Sequence, residues 1–205
     1  MATALAAETP SPTQETIPFE GGRFVVARAA DATCVIALQG TITRAASFAF
    51  ETATARADKL GCANPWLLLE SPGGTLDDGI ELGKAVRLKR LRTLTRETCA
   101  SACALIFLGG TERWLVGTRA RIGFHQAART HEREDKTCEA TRQDRSFRAM
   151  RRYLGWVDPA HADALMDTIM QTPCTSIAFI AGDRALELGV ATMLARPDDD
   201  LSRPR

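Results

Sequence analysis

The chain has 205 residues, the size of one domain, with 45% hydrophobic and 25% charged residues, ordinary values for a soluble globular protein. Twenty-six basic residues stand against 25 acidic ones, a net charge of +1, which gives no electrostatic case for nucleic acid or for an anionic membrane surface. The longest uncharged apolar run, Cys99 to Gly110, is too short to span a bilayer.

Residues 1–17 are polar and rich in Pro and Thr, which predicts a disordered segment. The opening MATALAAETPSP reads equally as an alanine-rich start or as the trimmed end of a signal peptide. From residue 18 the pattern becomes that of a folded domain, expected to extend to 196. Phe24 to Arg28 and Cys34 to Leu38 read as short strands. Ile42 to Lys59 is Ala-rich with helical spacing, closed by Gly61. Trp66 to Leu69 is a continuous apolar run, as in a strand buried on both faces. The tight loop Ser71-Pro72-Gly73-Gly74 leads into a helix from Leu76 to Lys89, with Asp77 and Asp78 in its first turn and Arg87 and Lys89 at its end, the order that suits the helix dipole.

Arg92 to Arg96 reads as a strand and Ser101 to Leu108 as a buried helix. Arg113 to Val116 and Arg121 to His125 follow as short strands. Residues 126–136 carry the densest charge run and read as a solvated loop. Thr137 to Leu154 and Pro159 to Met170 are expected helices. Asp183 to Leu188 is a last short helix, stopped by Gly189, before the strand-like VATML. Residues 197–205 form a charged tail. Strand and helix in alternation imply a mainly parallel sheet with helices packed on it. In such sheets sites form at the carboxyl ends of strands. The Ser71–Gly74 loop and the turn around Ser101 both fall there.

Ser101 sits between a strand and an Ala-rich helix, flanked by Ala100 and Ala102. A nucleophile at such a turn projects from the sheet end, and the first N–H groups of the helix point at a developing oxyanion. The competing reading is an ordinary N-cap. Gly73 and Gly74 allow backbone conformations closed to other residues and let a ligand reach a peptide N–H; an ordinary turn is the alternative. Of the three histidines, His131 lies in the charge run and His161 in a polar helix start. His125, at the end of the strand RIGF, is the best placed to act as a base. The residues imply neither a cofactor nor a metal site: no cysteine pair has the C-x-x-C spacing of a zinc site.

Taken together, ESPGGTLDDGIELGKAVR, CASACALIFLGGTERW, ARIGFHQ and FIAGDRALELGVATML resemble the proteolytic subunit of the Clp protease, over about Cys34 to Leu194. The Cys-x-Ser-x-Cys form is more similar to a branch of Clp-related proteins predicted to be periplasmic, in which no ATPase partner is expected. The resemblance implies the ClpP/crotonase-like α/β fold, a spiral of ββα units with a helical handle. It makes Ser101 the nucleophile and His125 its base, with backbone N–H groups of Ala102 and of the Gly73/Gly74 turn as oxyanion hole. Peptide or unfolded protein would be the substrate, and the fold usually forms homo-oligomers through the handle, here about Gln126 to Tyr153.

The sequence departs from the family at the triad acid. Counted back from ALELGV, that position is Ile177. No carboxylate lies within seven residues before it, and the first after it is Asp183. A Ser-His dyad is therefore expected, with His125 Nδ1 held by Ser176, Thr175 or a backbone carbonyl near Ile177. A non-catalytic descendant that binds peptide or protein is the alternative. A crotonase-like enzyme acting on acyl-thioesters is a third reading, for which no specific residue speaks.

The six cysteines are compatible with three disulfides and a periplasmic or secreted location, or else with buried free thiols in the cytoplasm. Cys34 begins one strand and Cys62 leads into the next parallel one, so both fall on one sheet edge and can bond. Cys138 with Cys174 is a second pair. A bond between Cys99 and Cys103 would hold the serine turn rigid.

Overall fold

The computed structural model describes residues 13–29, 33–130 and 136–199. Seven strands form the main sheet: β1 (Thr13–Phe19), β2 (Gly22–Arg28), β3 (Cys34–Gly40), β4 (Trp66–Glu70), β5 (Arg92–Thr95), β7 (Arg113–Val116) and β12 (Met193–Ala195). β1, β2 and β3 make an antiparallel meander. From β3 onward every neighbour is parallel. A smaller sheet carries β6 (Thr98–Ala100) parallel to β8 (Arg121–Phe124), with β11 (Ala178–Ile180) antiparallel at its edge. The helices are α1 (Arg44–Lys59), α2 (Leu76–Leu88), α3 (Ala102–Leu108), α4 (Arg145–Val157), α5 (Ala162–Gln171) and α6 (Gly182–Glu187).

The main core lies between the sheet and the helices and contains Phe24, Ile36, Phe50, Leu67, Phe107 and Leu165. The far face of the sheet holds a second cluster of Trp66, Leu94, Trp114 and Val116, with the two indoles 4.7 Å apart. Trp66 and Leu67 therefore point to opposite cores, which is why WLLL needs no polar alternation. Among the described residues no helix is long and apolar enough to cross a membrane.

The region that holds the nucleophile is pressed together by small residues. A Cβ added to Gly79 would meet the Ala102 oxygen at 2.8 Å, and one added to Gly83 would meet the Leu105 oxygen at 2.8 Å. α2 can thus lie directly on α3. Behind α3, the buried Tyr153 hydroxyl of α4 donates to the Leu105 carbonyl at 2.7 Å, and burial raises its pKa well above the usual phenol range.

Several expectations need correction. Residues 13–17, placed in a disordered segment by composition, pair with β2 over the whole of β1; residues 1–12 lie outside the described part, as do 200–205 of the tail. The serine turn is preceded by β6, not directly by Arg92 to Arg96. Within the presumed loop at 126–136, Ala128–Thr130 form β9, paired with β10 (Lys136–Cys138); residues 131–135 are outside the described part. The helix expected from Thr137 begins only at Arg145, because Cys138 is held in the hairpin and Asp144 Oδ2 accepts from Thr141 N–H and Oγ1 at 2.8 and 2.9 Å, a local turn that competes with helix. The expected helix from Pro159 starts at Ala162. Met150 and Tyr153, assigned to a protruding handle, are buried in the main core. The apolar stripe on α4 finds its partner in the body of the domain.

All six cysteines are disulfide-bonded, as Cys34–Cys62, Cys99–Cys103 and Cys138–Cys174. Such bonds persist in a non-reducing compartment. Cys34–Cys62 closes a loop of sequence separation 28 and restricts the unfolded chain accordingly. Replacing both cysteines by Ala is expected to cost about 2–4 kcal/mol, read from urea denaturation at equal slope. A loss under about 0.5 kcal/mol would mean that the bond adds little to the restraint already given by α1.

Candidate functional site

Ser101 follows β6 and precedes α3 with φ 58° and ψ −126°. A side chain with positive φ costs about 1–3 kcal/mol and persists only where the surroundings over-determine it. They do so here. Ser101 N–H donates to the Gly123 carbonyl at 2.9 Å, Ala100 N–H donates to the Ser71 carbonyl at 3.0 Å, and Cys99–Cys103 closes the turn with Cα atoms 5.2 Å apart. The Ser101 hydroxyl makes no capping bond to α3, so the N-cap reading does not describe it. Its Oγ is left for other work.

Gly73 and Gly74 have φ 108° and 158°, and they differ in what surrounds them. A Cβ on Gly73 would lie 2.6 Å from Ser101 Cβ and 2.7 Å from the Ala100 carbonyl. Only glycine lets the two turns touch. The Gly73 N–H is already spent on Ser71 Oγ at 3.1 Å, whose own hydroxyl donates to Gly40 O at 2.6 Å. Gly73 therefore has no donor to offer a ligand. Ile42 N–H donates to Gly73 O and Thr75 N–H donates to Ile42 O, at 2.8 and 3.0 Å. Among the described residues, the Gly74 and Ala102 N–H groups meet no acceptor outside the regular elements.

Ser101, Ala102, Gly74 and His125 line one cavity of about 790 Å³, within the usual range for ligand sites. Leu105, Phe124, Met150 and Ile169 give it an apolar wall, and Thr41, Thr43 and Thr75 a hydroxyl-bearing one. Two ion pairs sit on its lining: Arg145 with Asp77 at 2.9 Å, joining the first turns of α4 and α2, and Arg129 with Glu139 at 2.5 Å, joining β9 to the residue after β10.

His125 follows β8, half-buried. Its Nδ1 lies 2.6 Å from the carbonyl oxygen of Gln126. The acceptor is the backbone carbonyl of the next residue, where one near Ile177 was expected. Ser176 Oγ is not hydrogen-bonded to His125; its hydroxyl donates to Pro173 O at 3.3 Å. Ala178 pairs with Phe124 across the β11–β8 ladder, so Ile177 falls opposite His125 one step further on. Among the described residues no carboxylate is hydrogen-bonded to His125; Asp163 is paired with Arg151 at 2.9 Å.

Gln126 and Arg113 escaped the sequence reading. Gln126 is buried and stood at the start of a charge run that concealed it. Arg113, in β7, is also buried and binds backbone oxygens of Gly110, Gly189 and Val190 as well as Asp158. An arginine opening an otherwise apolar strand was the one signal available.

No family model matches the chain, and no curated protein matches it. Solved structures do. A mutant ClpP1 from Listeria monocytogenes superimposes with a TM-score of 0.62 at 15% identity, covering 80% of this chain and 92% of that one. A mutant of the 1510-N membrane-bound stomatin-specific protease superimposes with a TM-score of 0.63 at 17% identity, covering 82% of this chain and 79% of that one. The fold is that of the ClpP-like proteins.

Proposed function

We propose that this protein is a serine hydrolase that cleaves peptide bonds through a Ser101–His125 dyad. The observation that carries the reading is Ser101 itself. It is held in a costly backbone conformation at a strand-to-helix turn, its hydroxyl makes no capping bond, and it shares a cavity with His125. In the proposed reaction Ser101 Oγ attacks the scissile carbonyl while His125 Nε2 takes its proton. The N–H groups of Gly74 and Ala102 receive the oxyanion. His125 then returns the proton to the leaving amine, and water attacks the acyl-enzyme in the second half.

A carbonyl oxygen can only accept. The contact of Nδ1 with Gln126 O therefore favours the tautomer with hydrogen on Nδ1 and a lone pair on Nε2, the form a base needs. Peptide or unfolded protein is the proposed substrate, in keeping with the ClpP-like fold and the size of the cavity. The three disulfides support work in an oxidising compartment, for which we propose the periplasm. Homo-oligomerisation and independence from an ATPase partner belong to the same proposal.

One observation favours a second reading, a binding protein without turnover: Ile177, immediately before β11, falls opposite His125 and offers no charge. Labelling with a fluorophosphonate probe separates the two. Wild type is expected to be modified and Ser101→Ala to remain unmodified. Equal labelling of both, or of neither, would leave the binding reading in place.

A further inference from the structure

We infer that Gln126 is the positioning residue of the proposed base, fixing the His125 imidazole from behind in the absence of a carboxylate. The consequence for catalysis rests on the hydrolase reading above; the geometry does not.

Three polar groups of Gln126 are engaged. Its carbonyl faces His125 Nδ1 at 2.6 Å. Its backbone N–H donates to Thr172 O at 2.9 Å. Its side-chain Nε2 donates to Met170 O at 2.6 Å. The residue is 7% exposed, so the amide group is committed to these bonds with little water to replace them. Met170 and Thr172 lie at the C-terminal end of α5, where carbonyls have no acceptor role inside the helix. Gln126 fills that role and gains a rigid anchor. The anchor is itself fixed, because Cys174, two residues on, is bonded to Cys138 in the neighbouring hairpin.

A peptide carbonyl in a mobile loop would orient an imidazole poorly. Clamped by two bonds to α5, the Gln126 carbonyl has one place to be, and Nδ1–H has one direction to point. Orientation and tautomer are the tasks a triad acid performs besides stabilising the imidazolium. Gln126 performs these two and leaves the third undone.

The test is ¹⁵N NMR of the imidazoles at a pH where they are neutral. The chain has three histidines, and His125→Asn assigns the relevant signals. In wild type the His125 Nδ1 is expected to carry the hydrogen. In Gln126→Met, which keeps the length and loses the amide, the Nε2–H form should become populated, and the fluorophosphonate labelling rate should fall about tenfold, short of the ~10⁴ lost when the template's acid is replaced. Should Gln126→Met not fold, Gln126→Asn keeps an amide but falls one methylene short of Met170 O and carries the same expectation. A wild-type His125 with hydrogen on Nε2, or a variant with unchanged tautomer, would overturn the inference. Wild-type Nδ1–H without any labelling would instead sink the hydrolase reading and leave the role of Gln126 standing.

Discussion

Ile177→Asp is expected to raise the phosphonylation rate and the turnover of peptide substrates by about a hundredfold. The expectation follows from register. Ala178, Phe179 and Ile180 pair with Phe124, Gly123 and Ile122, which puts position 177 across from His125. A Cβ built on Gly123 would meet both Ile177 Cγ2 and Phe179 Cε1, at 2.6 and 2.9 Å. The side chains of 177 and 179 thus lie on the face to which position 123 points, and by the strand period position 125 points there too. Facing residues in an antiparallel pair have Cβ atoms about 4.5–5.5 Å apart, within reach of a carboxylate and an imidazole. Ile177 is 43% exposed, so Asp enters with a modest desolvation cost. It would add the negative charge that a carbonyl lacks. Loss of that charge costs the template about 10⁴; a partial return of about 10² allows for imperfect geometry. Ile177→Asn is the control, expected to stay near wild type. Equal rates for Asp and Asn would show that Nδ1 does not leave Gln126 for a new partner.

Arg113→Met is expected to lower stability by about 3–5 kcal/mol, the usual result of removing one partner from a buried charge pair. Arg113 Nη2 meets Asp158 Oδ2 at 3.2 Å and Gly189 O at 2.9 Å, while Nε donates to Val190 O at 3.1 Å. Burial lowers the guanidinium pKa and Asp158 opposes that shift. Without Arg113, Asp158 stays mostly buried with His161 Nδ1 as its remaining side-chain partner at 2.9 Å, and the three carbonyls lose their donor. The loss is a large part of a typical total of about 5–15 kcal/mol. Urea denaturation measures it. Pairing the change with Asp158→Leu should recover part of the loss, because the uncompensated charge goes too. Full additivity of the two changes would mean that the ion pair does not couple β7 to the end of α4.

What the sequence made legible followed from local chemistry. The alternation of strands and helices gave the sheet, the glycines and alanines around Ser101 gave the turn, and the placement of Cys34 and Cys62 gave the first disulfide. The missing carboxylate at 177 was visible by counting. What stayed hidden depends on partners far along the chain. Nothing near Gln126 points to the end of α5, forty-four residues later, and Arg113 binds carbonyls more than seventy residues away. The β9–β10 hairpin was hidden because its charged residues suggest a loop while its pairing is made by the backbone. The difference between Gly73 and Gly74 is likewise invisible in the letters SPGG, since it turns on which N–H the Ser71 hydroxyl captures.

The contact between α2 and α3 has a bearing on how this scaffold can be altered. Gly109 would place a Cβ 2.3 Å from the Gly83 carbonyl oxygen, so main chain rests on main chain with no layer of side chains between. At that point an engineer cannot loosen the seam by swapping one apolar residue for another, because glycine meets glycine there. Side chains that can be exchanged reach the cavity from α4 and α5, as Met150 and Ile169, though both belong to the main core and a change there must repack it. New selectivities would be sought there, with the half of the molecule that carries the serine kept as inherited.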